Sequence, residues 1–310
     1  MPNRCLTTPK CGRRTSANER VGRGWVSVNI HVLALLFVTL VWGATFPVLK
    51  VATGQLSGVE VSALRFMIAA VCMLPVVFRV PRSTWKDGAV LGALVLVSYV
   101  SQAFGLEFIS SNRSAFLTSL NVLMVPLLGA VFGARPTWLI LASAVIACTG
   151  IGLMSWDGGS DLIADAATVF GAFAYALYVI VLSQRAKRHT PRQLAGTQIV
   201  WMAGLGALWM GFGAWGSDTL QTLPSRLSLP IVAGLAYLGV VATAGMLFLQ
   251  AMAQRFVSAD KAALIYAMEP VFAALFAWLW LAEALSVQAA IGGAMVVGAV
   301  ILSEYRASTG

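Results

Sequence analysis

Charged residues are scarce in this chain. Asp, Glu, Lys and Arg together make up 11% of its 310 residues, less than half of what an ordinary soluble domain carries. Hydrophobic types account for 59%, and the mean hydropathy is +0.82. That balance excludes a water-soluble globule and implies a polytopic membrane protein. Only two histidines occur, His31 and His189, and the four cysteines, Cys5, Cys11, Cys72 and Cys148, form no metal-spaced pair. No metal or other cofactor is therefore expected, and no disulfide. A glycine-rich phosphate loop is missing too, which argues against a pump driven by nucleotide hydrolysis. No arrangement of nucleophile and base, or of paired carboxylates, suggests a catalytic centre.

What is present is a series of apolar runs long enough to span hydrocarbon. Ten can be placed, at roughly 29–49, 59–79, 86–107, 113–132, 137–154, 164–183, 194–215, 228–250, 259–281 and 287–303. Short connections rich in Gly, Pro, Ser and Asp separate them. With both termini in the cytoplasm, 17 of the 21 Lys and Arg fall on the inner side, whereas Lys50, Arg113 and Arg226 fall outside and Arg65 lies within the second run. This asymmetry favours that orientation. It also accounts for the net charge of +9 by positive inner loops beside anionic lipid, with no nucleic-acid partner. Residues 1–28, basic and poor in acid, read either as a disordered cytoplasmic tail or as residues upstream of the true start. Trp25, Trp85, Trp138, Trp156, Trp215 and Trp280 fall where an interfacial aromatic belt would put them, with Trp42 and Trp201 deeper.

The stretch Gln102 to Ser155 recurs 148 positions later as Gln250 to Ser303. Gln102 maps to Gln250, Thr118 to Tyr266, and Asn121 to Glu269. Because the related runs are five crossings apart, the two halves would be inverted in the membrane. Such repeats meet near the bilayer midplane, where secondary transporters bind their solute.

Several motifs fall on these runs in order. WGATFPVLK spans Trp42 to Lys50, QAFGLEFISSNRSAFLTSLNVLMVPLL spans Gln102 to Leu128, and AALIYAMEPVFAALFAWLWLAEAL spans Ala262 to Leu285. From Val32 onward the chain resembles the EamA-type branch of the drug/metabolite transporter superfamily. The resemblance implies an all-α integral membrane fold of ten transmembrane helices, built as two inverted five-helix repeats at 29–155 and 161–304. It implies a central cavity lined mainly by helices 1 to 4 and 6 to 9, with helices 5 and 10 at the periphery. A multi-pass protein of a bacterial inner (plasma) membrane is expected. Three family positions depart: Gly133-Ala134-Arg135 and Ala282-Glu283-Ala284 replace Gly-Glu-Arg, and Ser160-Asp161 replaces Gly-Asp.

Candidate substrate-binding residues are Trp42, Arg65, Tyr99, Gln102, Thr118, Asn121, Tyr266 and Glu269. Glu269, about ten residues into the ninth run and just before Pro270, is the costliest placement, about 3 kcal/mol for a carboxylate at that depth. It reads either as a proton-exchanging or cation-binding group, or as a polar tie for backbone freed by Pro270. Arg65 would pair with a solute anion or with Glu107 or Asp165, whereas Lys50 at a helix end can snorkel. Small residues at Ala144, Cys148 and Gly152, and at Ala290, Ala294 and Gly298, either pack the fifth and tenth helices together or form a homodimer face.

These observations point to a secondary transporter, an exporter by expectation, moving a small organic metabolite such as an amino acid, an amine or a related amphipathic solute by alternating access. Protons are the candidate coupling ion, and the lipid bilayer is the other partner. A membrane enzyme, or a receptor or scaffold, is the competing class.

Overall fold

The computed structural model describes residues 29–155, 161–213, 219–281 and 286–305. The tail at 1–28, with Cys5, Cys11 and Trp25, lies outside them, as do Trp156, Trp215, the 282–284 motif and the side chain of Trp280. All regular structure among the described residues is helical. In chain order the elements are α1 (Ile30–Gly43), α2 (Thr45–Thr53), α3 (Gly58–Val77), α4 (Arg82–Phe108), α5 (Ser111–Ser119), α6 (Asn121–Val131), α7 (Trp138–Ser155), α8 (Leu162–Arg185), α9 (Pro191–Gly213), α10 (Thr219–Arg226) and α11 (Leu229–Ala236). A π-helical segment (Tyr237–Gly245), α12 (Met246–Ala253), α13 (Ala259–Tyr266), α14 (Glu269–Leu281) and α15 (Val287–Tyr305) follow.

Seven rods among the described residues are long and apolar enough to cross a membrane: Ile30–Thr53, Gly58–Val77, Arg82–Phe108, Arg113–Val131, Leu162–Arg185, Pro191–Gly213 and Leu229–Ala253. Trp138–Leu153 and Val287–Ser303 are shorter apolar helices. Their outer faces carry exposed Phe37, Val71, Phe78, Val131, Ile163, Phe170 and Ile301. Such a surface would aggregate in water but is at ease in hydrocarbon, where helices that are apolar all round belong. Local chemistry sets the ends. Ser57 and Glu60 form a reciprocal capping box at the start of α3, and Asp161 caps α8 through the amide of Ala164. Each satisfies backbone groups that lipid would leave orphaned.

The helices pack into a bundle in which α3 lies along α9, α4 along α8 and α9, and α7 along α15. The α7–α15 contact bears out the packing of the fifth and tenth helices together but corrects which residues of α15 carry it. In α15 the buried face carries Gly292, Val296, Ala299 and Ser303, whereas Ala290, Ala294 and Gly298 point outward. The helices meet instead where a Cβ on Gly150 would come within 2.6 Å of the Gly292 carbonyl oxygen. A stripe at every fourth position names two adjacent faces equally well, and only the partner's location chooses between them. Likewise Trp201, placed deep by sequence, is 38% exposed and donates from its indole to the Trp85 carbonyl.

Candidate functional site

Four of the ten apolar runs are interrupted near their middles. The first breaks between α1 and α2 at Ala44, the fourth between α5 and α6 at Leu120, and the ninth between α13 and α14 at Ala267 and Met268. In the eighth, π-helical winding replaces α-helix over Tyr237–Gly245. Proline explains two of the breaks, since Pro47 and Pro270 cannot donate to the carbonyls of Gly43 and Tyr266 four residues back. Side chains take up other freed groups: Thr45 Oγ1 donates to the Trp42 carbonyl at 2.7 Å, and Asn121 Nδ2 donates to the Thr118 carbonyl at 2.8 Å. Irregular backbone at this depth is tolerated where protein or a cavity surrounds it, and discontinuous helices are where membrane proteins place ion and solute sites.

The breaks converge on one cavity of about 30 Å³ lined by Trp42, Thr45, Arg65, Ser98, Tyr99, Gln102, Thr118, Asn121, Tyr175 and Glu269. Seven of the eight residues singled out from sequence thus face a common space. The eighth, Tyr266, stands just behind it, its ring 5.6 Å from that of Trp42 and 6.1 Å from that of Tyr175. Thr45, Ser98 and Tyr175 were missed, although each is a polar residue within an apolar run. The cavity is smaller than expected for an amphipathic metabolite, since this volume holds about two waters. The cause is aromatic filling: Trp42, Tyr99, Tyr175 and Tyr266 are all at least nine-tenths buried around it.

Arg65, 4% exposed, is the unusual member. Its Nε and Nη2 donate to Thr243 Oγ1 at 3.2 and 3.1 Å, and its guanidinium carbon lies 4.7 Å from the centroid of Tyr99. The expected pairing with Glu107 or Asp165 does not occur. Glu107 accepts the amide of Gly58, and Asp165 takes both arms of the Arg113 fork at 2.7 and 2.6 Å. Those carboxylates sit at helix ends, where the amide and Arg113 are nearer. A cation–π contact and one hydroxyl replace part of the lost hydration of Arg65, but a buried charge without a counter-ion costs on the order of several kcal/mol.

Glu269 is the second ionisable side chain without an ion-pair partner among the described residues, half-buried at the first position of α14. No hydrogen bond or ion pair among the described residues reaches its carboxylate. The break that carries it is held against the first break by close packing. A Cβ on Gly43 would lie 2.8 Å from Phe272 Cβ, 3.0 Å from the Ala273 nitrogen and 3.1 Å from the Glu269 carbonyl oxygen. Opposite, the π-helical segment presents the Ala242 carbonyl to the Trp42 indole at 2.9 Å, and Thr243 Oγ1 donates five residues back to Leu238 at 2.7 Å while accepting from Arg65. Single π-helical turns often mark functional positions for this reason, since they release carbonyls from the regular ladder. Gly239 allows this segment to press on α3, where any Cβ would meet the Arg65 carbonyl oxygen at 2.8 Å.

Both ends of the bundle are tied. At one, the Lys50 ammonium donates to the carbonyls of Leu106 and Ile109, and Arg226 pairs with Glu60. At the other, Asp87 joins Arg185 at 3.0 Å and His189 Nε2 at 2.7 Å, and His189 Nδ1 meets Thr84 Oγ1 at 2.9 Å.

An apolar helical bundle with a buried polar cavity and no metal-ligand cluster among its described residues has the form of a membrane solute carrier. The chain matches the EamA-like transporter family over residues 29–156 and again over 162–305, and it belongs to that family. Among its relatives, an uncharacterized transporter of Archaeoglobus fulgidus is 27% identical over 285 residues, 88% of this chain and 85% of that one. A probable terminal-alkyne amino-acid exporter of Streptantibioticus cattleyicolor is 27% identical over 296 residues, covering 89% and 93%. A probable amino-acid metabolite efflux pump of Escherichia coli is 27% identical over 224 residues, covering 68% and 73%. A solved crystal structure shares the fold, with a TM-score of 0.72 at 18% identity over 89% of this chain and 99% of the other. The protein is accordingly a multi-pass membrane transporter, with a small-molecule substrate and membrane lipid as its partners.

Proposed function

We propose that the protein is a ten-helix secondary transporter, built as two inverted five-helix repeats over 29–155 and 161–304, that exports a small zwitterionic metabolite of amino-acid type by alternating access. The observation that carries the substrate class is the placement of Arg65 and Glu269, one basic and one acidic side chain with no ion-pair partner among the described residues, around one cavity. A molecule bearing both a carboxylate and an ammonium would neutralise both, and a fork of guanidinium donors suits a carboxylate. Trp42, Tyr99 and Tyr266 would pack its side chain, and Gln102, Thr118 and Asn121 would fix its orientation. The relatives from Streptantibioticus and Escherichia, whose names refer to amino acids and export, agree in substrate class and direction.

The repeat reading is supported by the breaks themselves. Asn121 and Glu269, 148 positions apart, are each the first residue of the helix that follows an interruption. The excess of Lys and Arg on alternate connections supports cytoplasmic termini, in a bacterial inner membrane. Glu269 is the group through which a proton gradient would act, since its carboxylate can hold either a proton or the solute ammonium but not both. Any homodimer would use the outward stripe Ala290, Ala294 and Gly298 of α15, the tenth helix, with the adjoining face of α7, the fifth.

Counterflow in proteoliposomes against a panel of amino acids, the matching amines and the matching acids tests the reading. Saturable exchange of a zwitterion, weak for both single-charge analogues, is expected. Inserted, folded protein that exchanges no zwitterion in the panel would overturn it.

A further inference from the structure

A group of buried polar side chains leads from the cavity toward the side of the bundle that carries Arg185 and His189. Tyr175 lines the cavity, and its hydroxyl accepts from Gln250 Nε2 at 3.0 Å, while Gln250 Oε1 accepts from Tyr178 at 3.2 Å. Gln198 lies beside Tyr178, and Tyr266 beside Gln250, neither in bonding geometry. Farther along, Gln254 Nε2 donates to Ser183 Oγ at 3.1 Å, two residues short of Arg185 in the Asp87 cluster. Three glutamines, Gln198, Gln250 and Gln254, are 0% exposed. Among the described residues, both amide atoms of Gln198, Oε1 of Gln254 and the hydroxyl of Tyr266 make no hydrogen bond of good geometry.

Native interiors contain few such atoms, and each calls for an explanation. Packing does not supply one, because an apolar side chain of the same volume would fill the space at less cost. The repeat does. Gln102 and Thr118, bonded at 3.2 Å beside the cavity, map by 148 positions onto Gln250 and Tyr266. One member of each related pair is open to a cavity and the other is packed away, as two halves of a single path would be when only one is open.

We propose that the ladder from Tyr175 through Gln250, Tyr178 and Gln198 to Gln254 is the inner half of the solute path, closed in this conformation and ending at the Asp87, Arg185 and His189 cluster. The proposal rests on the transport reading and on the orientation given above. On opening, the unpartnered amides and hydroxyl meet water and the polar ends of the solute.

The test uses the full chain with Cys5, Cys11, Cys72 and Cys148 replaced by Ser, in inside-out vesicles. Single cysteines at Gln198, Gln254 and, as a control, Leu182, all 0% exposed, are treated with a small membrane-impermeant methanethiosulfonate. Modification of Gln198→Cys and of Gln254→Cys at least tenfold faster than Leu182→Cys is expected; rates equal to the control overturn the proposal. Should Gln198→Cys not fold, the Gln254 comparison decides alone. Gln198→Met, which a structural network would welcome, is expected to lower amino-acid counterflow at least tenfold at unchanged melting temperature, and wild-type counterflow would overturn the path. Absence of counterflow in the parent chain would count against transport itself, whereas the thiol rates still read the ladder.

Discussion

The guanidinium of Arg65 is held by the hydroxyl of Thr243, and by no carboxylate among the described residues. The hydroxyl is fixed in turn by its own bond to the Leu238 carbonyl at 2.7 Å. A solute carboxylate is the missing partner under the proposed function. Arg65→Gln should therefore weaken binding of a zwitterion by about 10- to 100-fold, the worth of a charged hydrogen bond, while the corresponding amine is little affected. Isothermal titration with the two ligands separates these outcomes. Equal losses for both would assign Arg65 to packing.

Thr243→Val removes the acceptor but keeps the shape. The guanidinium then loses its only protein hydrogen-bond partner among the described residues, and the variant is expected to lose about 1–3 kcal/mol of stability in the absence of solute. Saturating zwitterion should recover part of this loss, because ligand binding stabilises the state that binds it. Thermal melting in detergent with and without solute provides the comparison.

Glu269→Gln preserves size and much of the hydrogen-bonding capacity but cannot titrate. If this carboxylate couples solute to protons, its proton affinity must differ between the two open states, since equal affinity transfers nothing. The variant should then lose accumulation driven by a pH gradient yet retain exchange at equal concentrations. Wild-type accumulation in Glu269→Gln, with damage confined to Glu269→Ala, would make the residue a tie for the backbone at Pro270 instead.

Gly43 joins two helix breaks. A methyl group there would stand 2.8 Å from Phe272 Cβ and 3.0 Å from a backbone nitrogen, neither of which is the end of a flexible chain. Gly43→Ala should cost roughly 1–3 kcal/mol by overpacking. It should also reduce transport by separating Trp42 from the Glu269 turn, whereas Gly204→Ala, which meets nothing within 4 Å, should do neither. Melting and counterflow measured on both variants check this.

Orientation is open to direct labelling. Cysteines at the exposed positions Gln55 and Lys187, in the cysteine-free chain, should react with an impermeant reagent from outside at Gln55, and at Lys187 only after the membrane is breached. The reverse pattern would invert the topology.

Some of this organisation is written plainly in the sequence. Hydropathy located the apolar rods because transfer to hydrocarbon is a property of composition and needs no tertiary partner. Pro270 announced one of the breaks, because a missing amide acts on a carbonyl only four residues away; Pro47 carries the same signal and was not read. The 148-residue offset drew attention to Asn121 and Glu269, and those two residues do begin half-helices. The likeness to the EamA-type branch, argued from motifs at Trp42, Gln102 and Glu269, was met by the family match.

Partnerships across the bundle were decided only by the tertiary structure. Asp165 and Glu107 were reasonable choices for Arg65 by charge, but Arg113 and the Gly58 amide hold them, and Thr243, 178 residues from Arg65, has no charge to announce it. The outward stripe of α15 and the inward one beside it read alike until α7 is in place. Gln198 on α9 and Gln250 on α12 are remote in sequence, and only the packing of these helices against α8 sets both beside Tyr178. Solvation energy is additive along a chain and can be read from it, whereas pairing energy depends on distances between segments remote in sequence, which exist only once the bundle has closed.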